Sequence, residues 1–319
     1  MRLRAAARNL GRQLFASLVA LVVSTVVVFG AMYVAPGDTL KFLSGGRTLS
    51  PEAVDSYRQQ FHLDDPLPQR YGKWLWDAMQ GDFGDSLVTR TPVSDMLAPR
   101  LGTTFLLLAM AAVLVMVGGV ALGLLAGLSG RRTDTAVSIF VSFGMALPQF
   151  VVAALLTAVF AVELGWLPVY GSGEGLGDEM RHLILPSIAL ALGSMAYVAR
   201  ISRVAVREEE SREHVETART RGLSGTTVVR RHVLRNALVP ITTVTGLSIA
   251  GLIASSVVVE NAFGLNGLGS LLVESVLAKD FAAVQAISLI LVVLFLIVNL
   301  VVDLLYAALD PRLRGAAPR

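Results

Sequence analysis

Nine arginines and five glutamates fall within residues 200–240, on a segment that lies between two long apolar runs. Charges of both signs at helical spacing carry out recognition chemistry: they pair with complementary charges on a folded partner. From Ser211 the segment reads as two short helices separated by Gly222. In the first, Val215, Ala218 and Gly222 follow i, i+3, i+7 spacing and share a face, flanked by Arg212, Arg219 and Arg221. Ala218 is small enough to admit close approach by another surface. Gly222 suits a left-handed C-cap. Ser224 is placed to N-cap the second helix, whose apolar side carries Val229 and Val233. A basic helix lying on anionic lipid explains the arginines. It leaves Glu208, Glu209, Glu210, Glu213 and Glu216 unexplained, because the same lipid repels them. A docking helix accounts for both signs.

Covalent and metal chemistry has no comparable footing. The chain has no cysteine, hence no disulfide, thiolate nucleophile or thiolate metal site. His62, His182, His214 and His232 are dispersed and show no ligand spacing. The apolar runs hold no Ser/His, paired-Asp or His-Glu-x-x-His constellation of the kind an intramembrane enzyme needs. Lys41, Lys73 and Lys279 are the only lysines, and none follows a phosphate-binding Gly-x-x-x-x-Gly pattern. No catalytic residue, metal ligand or cofactor is therefore expected on this chain.

The elements that position the charged segment are membrane spans. Of 319 residues, 54% are hydrophobic and 16% charged, against about 25% charged in a soluble domain. Uncharged runs occupy 14–37, 101–130, 135–162, 183–199, 236–259 and 281–302. A spanning helix needs roughly 20 apolar residues, so the chain is expected to be an all-α integral membrane protein with six transmembrane helices. The fourth run qualifies only if its helix continues past its first charge. The first is too long for a signal-peptide core and lacks a cleavage site, so it is expected to remain as a span. With the N-terminus inside, the inner segments hold 18 basic and 8 acidic residues, and the outer ones 9 and 16. The positive-inside rule then places both termini in the cytoplasm. The basic residues flank spans rather than forming a patch, so nucleic acid is not an expected partner.

This gives a cytoplasmic N-terminus at 1–13, a first span at 14–37 and an external segment at 38–100. A five-helix core follows at 101–310, with the charged loop at 204–236 and a tail at 311–319. In the external segment, Pro36-Gly37-Asp38 stops the first helix, Ser50-Pro51-Glu52 opens a short helix, and Tyr71, Trp74 and Trp76 suit an interfacial cap. Pro148 interrupts the third run and can kink it. Gly119, Gly123 and Gly127 lie along one helix face, which suits close packing within the chain.

The order of motifs across these spans resembles the dipeptide/oligopeptide/nickel permease family of ABC importers. Glu216-Thr217-Ala218-x-x-x-Gly222, followed by Leu238-Val239-Pro240, is similar to that superfamily's EAA loop. Further matches are Gly81-Asp82-Phe83-Gly84-Asp85-Ser86, Leu164-Gly165-Trp166-Leu167-Pro168, Ala218-Arg219-Thr220-Arg221-Gly222-Leu223 and His232-Val233-Leu234-Arg235-Asn236-Ala237. Glu260 with Gly267-Leu268-Gly269, and Asp310-Pro311-Arg312, complete them. The chain departs from the family at His214 and Glu216, where an aromatic and a basic residue are usual, and at Leu265-Asn266 and Asp280-Phe281-Ala282.

The resemblance implies a type I importer fold and a permease role in a bacterial inner membrane. It implies a homologous second permease, two cytoplasmic ATPases holding ATP and magnesium, and an external substrate-binding protein. Val215, Glu216, Thr217, Ala218, Arg219, Gly222, Leu223, His232, Asn236 and Pro240 would form the ATPase-coupling loop. Short peptides are the expected cargo, with nickel or another small solute as the alternative. A stand-alone secondary transporter would instead need midplane charges and inverted repeats, neither of which stands out. Ser142, Gln149, Glu260 and Asn299 are the expected pathway residues. Asp303, near the inner end of the last span, is expected to pair with an arginine such as Arg200 or Arg203.

Overall fold

The structure is a computed structural model that describes residues 2–34, 65–86 and 88–309. Among these it is all-helical, apart from one isolated bridge between Asp85 and Pro92. Helix α1 spans Arg2–Val34 and α2 spans Leu67–Met79. Helix α3, Val93–Leu128, passes through a π segment at Leu114–Gly119. Then come α4 (Arg131–Ala146), α5 (Gln149–Glu163), α6 (Leu176–Glu210) and α7 (Glu213–Thr220). Helices α8 (Gly225–Ala262), α9 (Leu268–Ala278) and α10 (Phe281–Leu309) complete the chain.

Among the described residues, four helices are long and apolar enough to cross a bilayer, namely α3, α6, α8 and the Phe281–Val302 part of α10. The bent pair α4–α5 makes a fifth if taken as one span. The apolar stretch of α1 among the described residues, Phe15–Ala31, is shorter and sits at the lower edge of spanning length. Several expected boundaries move. The second span begins at Val93 rather than 101, because Pro92 and Asp95 supply a helix start that buries Val93 and Leu97. The third run is a break rather than a kink. Leu147 and Pro148 are extended, and α4 and α5 meet at 107°, since a residue before proline is pushed out of the helical region. The fourth run does continue past its charges, as α6 carries on through Arg200, Arg203 and Arg207 to Glu210. The turn at 36–38, the helix start at 50–52 and the motif at 310–312 lie outside the described residues.

The aromatic cap divides its work. Tyr71 and Trp74 of α2 pack on Phe29 of α1, with ring centroids 5.5 and 5.7 Å away. The Tyr71 hydroxyl also hydrogen-bonds Thr25 at 2.7 Å. Trp76 stays exposed, as a headgroup-level indole would be.

Helix α6 is the centre of the bundle, with 56% of its apolar window buried. It packs against α3, α4, α5, α7 and α8. Its length of about 52 Å exceeds a hydrocarbon core of about 30 Å, so its last turns stand beyond the membrane. The glycine face of α3 is where α6 comes closest. Cβ atoms on Gly119 and Gly127 would each lie 2.9 Å from a valine Cβ, on Val198 and Val206. One on Gly123 would run into Ser202 and sit 2.7 Å from the Ala199 carbonyl oxygen. The stripe therefore serves packing within the chain, as expected. Pro186 is buried inside α6. Lacking an N–H, it leaves the backbone ladder one hydrogen bond short.

At the α7 end of the bundle, Asp134 in the first turn of α4 accepts hydrogen bonds from Arg203, one of them 2.8 Å long, and pairs with Arg207 at 3.0 Å. This largely buried carboxylate also faces the positive end of its own helix. The Asp303 side chain, expected to pair with an arginine such as Arg200 or Arg203, lies outside the described residues. Asp134→Ala leaves two partly exposed guanidinium groups without their counter-charge, an expected cost of about 1–2 kcal/mol. Thermal unfolding of the purified chain should shift down by a few degrees, and an unchanged midpoint would count against a stabilising role for these pairs.

Candidate functional site

Eight residues are too few for a stable helix on their own, so α7 must be held by what it packs against. Val215 and Ala218 are buried, in a cluster with Ala205 and Val206 of α6 and Val228, Val233, Ala237 and Ile241 of α8. Burying Val215 alone contributes about 1.5–3 kcal/mol. This revises the expected role of Ala218. Its small side chain admits the close approach of its own bundle, not of a foreign surface. Charge ties reinforce the seat, with Arg219 pairing with Glu210 of α6 at 3.0 Å. Glu213, Glu216, Thr217, Thr220 and Arg221 are left on the exposed side.

The end of α7 follows from local chemistry. Gly222 has φ +78°, its N–H bonds the Arg219 carbonyl at 3.0 Å, and the Leu223 N–H reaches back to Ala218 at 3.3 Å. This is the two-bond Schellman arrangement. Ser224 occupies the expected N-cap position, but its hydroxyl bonds the Thr227 hydroxyl at 2.8 Å instead of a backbone N–H. The second loop helix does not end before the membrane. It runs through a π segment at Val229–Val233 straight into the fifth span, and Val228 rather than Val229 joins Val233 in the core.

The two departures from the family pattern point opposite ways. Glu216 is exposed. His214 turns towards the bundle, with Nε2 3.7 Å from a Glu209 carboxylate oxygen and 3.4 Å from the Asn236 amide. Its ring lies 6.2 Å from that of His232. Asn236 also donates to the His232 carbonyl at 3.1 Å. His214, His232, Asn236 and Glu209 thus form a polar joint between α7, the C-terminal end of α6 and the N-terminal part of α8. Pro240 is on an exposed position of α8. Among the described residues, no group of His, Asp or Glu is arranged to hold a metal ion.

The expected pathway residues are not gathered into one place. Ser142 is exposed on α4 and lines a cavity with Ser138, Val141, Arg200 and Arg203; none of the other three reaches it. Gln149 at the start of α5 and Asn299 on α10 are half-buried. Glu260 is removed from the pathway set, since it is 0% exposed and fully engaged in hydrogen bonds. Thr104 of α3 donates to Oε1 at 2.8 Å, and the N–H groups of Gly269 and Ser270 bond Oε2 at 2.7 and 3.3 Å. A carboxylate near the end of an apolar run reads as pathway-facing in sequence. Gly267-Leu268-Gly269 seven residues on was the signal that it is not, because only glycines leave room for it. A Cβ on Gly267 would sit 2.6 Å from Glu260 Cδ, and one on Gly269 2.6 Å from Val257 Cα.

Residues 119–315 match the family described as binding-protein-dependent transport system inner membrane component. Residues 6–109 match the N-terminal family of such membrane components. The chain is 37% identical over 304 residues to the glutathione transport system permease protein GsiC of Escherichia coli (strain K12) and of Shigella dysenteriae serotype 1 (strain Sd197). The match covers 95% of this chain and 97% of each relative. Two solved structures share the fold. An amino acid ABC transporter aligns with a TM-score of 0.54 at 20% identity, over 67% of this chain and 94% of that one. The inward-facing MetNI methionine ABC transporter gives 0.56 at 18%, over 67% and 96%. Agreement along almost the full length of its relatives places the chain in the binding-protein-dependent inner-membrane component family, as a permease subunit of an ABC importer.

Proposed function

We propose that this chain forms half of the translocation pathway of an ATP-driven importer of short peptides, and receives its drive through α7. The observation that carries the reading is the division of α7 into a buried apolar face and an outward charged one. Anything that holds the outward face moves the ends of α6 and α8 with it. The partners are a homologous second permease, two ATPase subunits that bind ATP and magnesium, and an external substrate-binding protein, all meeting in the inner membrane. The excess of basic residues on one side puts both termini and α7 in the cytoplasm. Glu216, Thr217, Arg219 and Leu223 lie at or beside the docking face, Val215 and Ala218 seat it, and His232, Asn236 and Pro240 belong to its base. Ser142, Gln149 and Asn299 line the pathway. Short peptides are favoured as cargo because the relatives at 37% identity are named for glutathione, a tripeptide.

The test is reconstitution of the full assembly in lipid with a binding protein loaded with glutathione or a dipeptide. ATP turnover should rise severalfold over the unloaded level, and labelled peptide should enter the vesicles. Turnover unaffected by loaded binding protein, or ATP-independent uptake by this chain alone, would overturn the reading.

A further inference from the structure

Helix α9 lies at the outer end of α8, opposite the α7 end, and is held at both of its own ends by buried carboxylates. At its start, Glu260 accepts from the N–H groups of Gly269 and Ser270. Those are among the N-terminal donors a helix cannot satisfy internally, and they sit at its positive pole. Thr104 closes the knot, donating its hydroxyl hydrogen to Glu260 while accepting the Leu268 N–H at 2.8 Å. One hydroxyl and one carboxylate thus join α3, α8 and α9. Just beyond the other end, buried Asp280 accepts from the Ser86 hydroxyl in the 80–92 loop, and its own N–H bonds the Ser275 carbonyl at 2.8 Å. A helix pinned this way has no single bond at which to swing, because each polar group it would uncover is buried and would lose its partner.

We infer that Glu260 is a positioning residue of the importer. Acting with Thr104, it locks α9 to α3 and α8, so that the outer face moves through the transport cycle as one rigid body. The inference rests on the proposed import function, since it concerns motion during that cycle. It differs from a packing role in what it asks of position 104. A packing role is met by valine, which has the shape of threonine. The hydrogen-bonded role is met by serine, which keeps the hydroxyl.

The chain has no cysteine, so nitroxide labels on cysteines at Phe105 of α3 (64% exposed) and Leu277 of α9 (78% exposed) can be attached before assembly. In the reconstituted importer, the inter-label distance should be narrow and the same with and without a non-hydrolysable ATP analogue. Thr104→Ser should preserve that distance and keep uptake within about twofold. Thr104→Val and Glu260→Gln should broaden it and lower uptake about tenfold, while ATP hydrolysis persists. A narrow distance and full uptake in Thr104→Val would overturn the inference, as would a wild-type distance that changes with nucleotide. If Glu260→Gln fails to assemble, the Thr104 pair decides alone. An assembly that never responds to binding protein removes the import reading, whereas the comparison of serine with valine still reports on the lock.

Discussion

Gly222→Val should leave the chain in the membrane and abolish peptide uptake, with ATP hydrolysis by the assembly continuing. Space is not the reason, because a Cβ on Gly222 would meet nothing within 4 Å. The backbone is. At φ +78° a β-branched residue costs about 1–2 kcal/mol or more, and relief comes by abandoning the left-handed turn. That breaks the bonds from Gly222 to Arg219 and from Leu223 to Ala218, the pair that closes the end of an eight-residue helix. The outward face of α7 would then be presented at the wrong angle to whatever holds it. Asparagine tolerates the left-handed region, so Gly222→Asn should retain most uptake. Equal loss in both variants would mean that bulk, not conformation, is at stake. Uptake of Gly222→Val at wild-type level would sink the account.

Gly123→Val should fail earlier, at the level of the fold. Its Cβ would collide with Ser202 and press on the Ala199 carbonyl at 2.7 Å, and neither is the flexible end of a long side chain. Overpacking of this kind costs about 1–3 kcal/mol, and more where the backbone must move. The contact lies on the most buried helix of the bundle, so the shift propagates to α4 and α8. Membrane yield and the monodisperse fraction after solubilisation should fall sharply. Gly251→Ala is the control, since nothing lies within 4 Å of a Cβ there, and it should be close to neutral. Loss of yield in both variants alike would trace the defect to helix glycines in general rather than to the α3–α6 contact.

These two glycines show what was legible in the sequence. The left-handed cap at Gly222 could be read because helix termination is local chemistry, settled within six residues. The stripe at Gly119, Gly123 and Gly127 announced a close approach, yet Val198, Ser202 and Val206 on the other side were beyond reach of spacing alone. The same limit explains Glu260. Its hydroxyl partner Thr104 is 156 residues away, so a carboxylate satisfied in the fold looked like one facing the pathway. Asp134 passed unnoticed because an acid next to Arg131 and Arg132 reads as a charge at a membrane flank. Pro148 marked a break, but the 107° between α4 and α5 is set by what those helices pack on. Spacing placed Val215 and Ala218 on one face without saying whose surface that face would meet.

Pro186 divides α6 into two differently held parts. C-terminal to it, the glycine stripe of α3 holds the helix from Met195 to Val206, and Asp134 secures Arg203 within that stretch and Arg207 just past it. N-terminal to it, Leu183 and Leu185 share a buried core with Leu107 and Leu108 of α3, and Thr103 donates to Glu179 at 2.9 Å. The missing backbone bond lies between these two attachments. Leu183, Leu185 and Ala189 are buried around that gap, so side-chain packing bridges it, and the portion that bears α7, braced by α3 and α4, carries displacement without absorbing it.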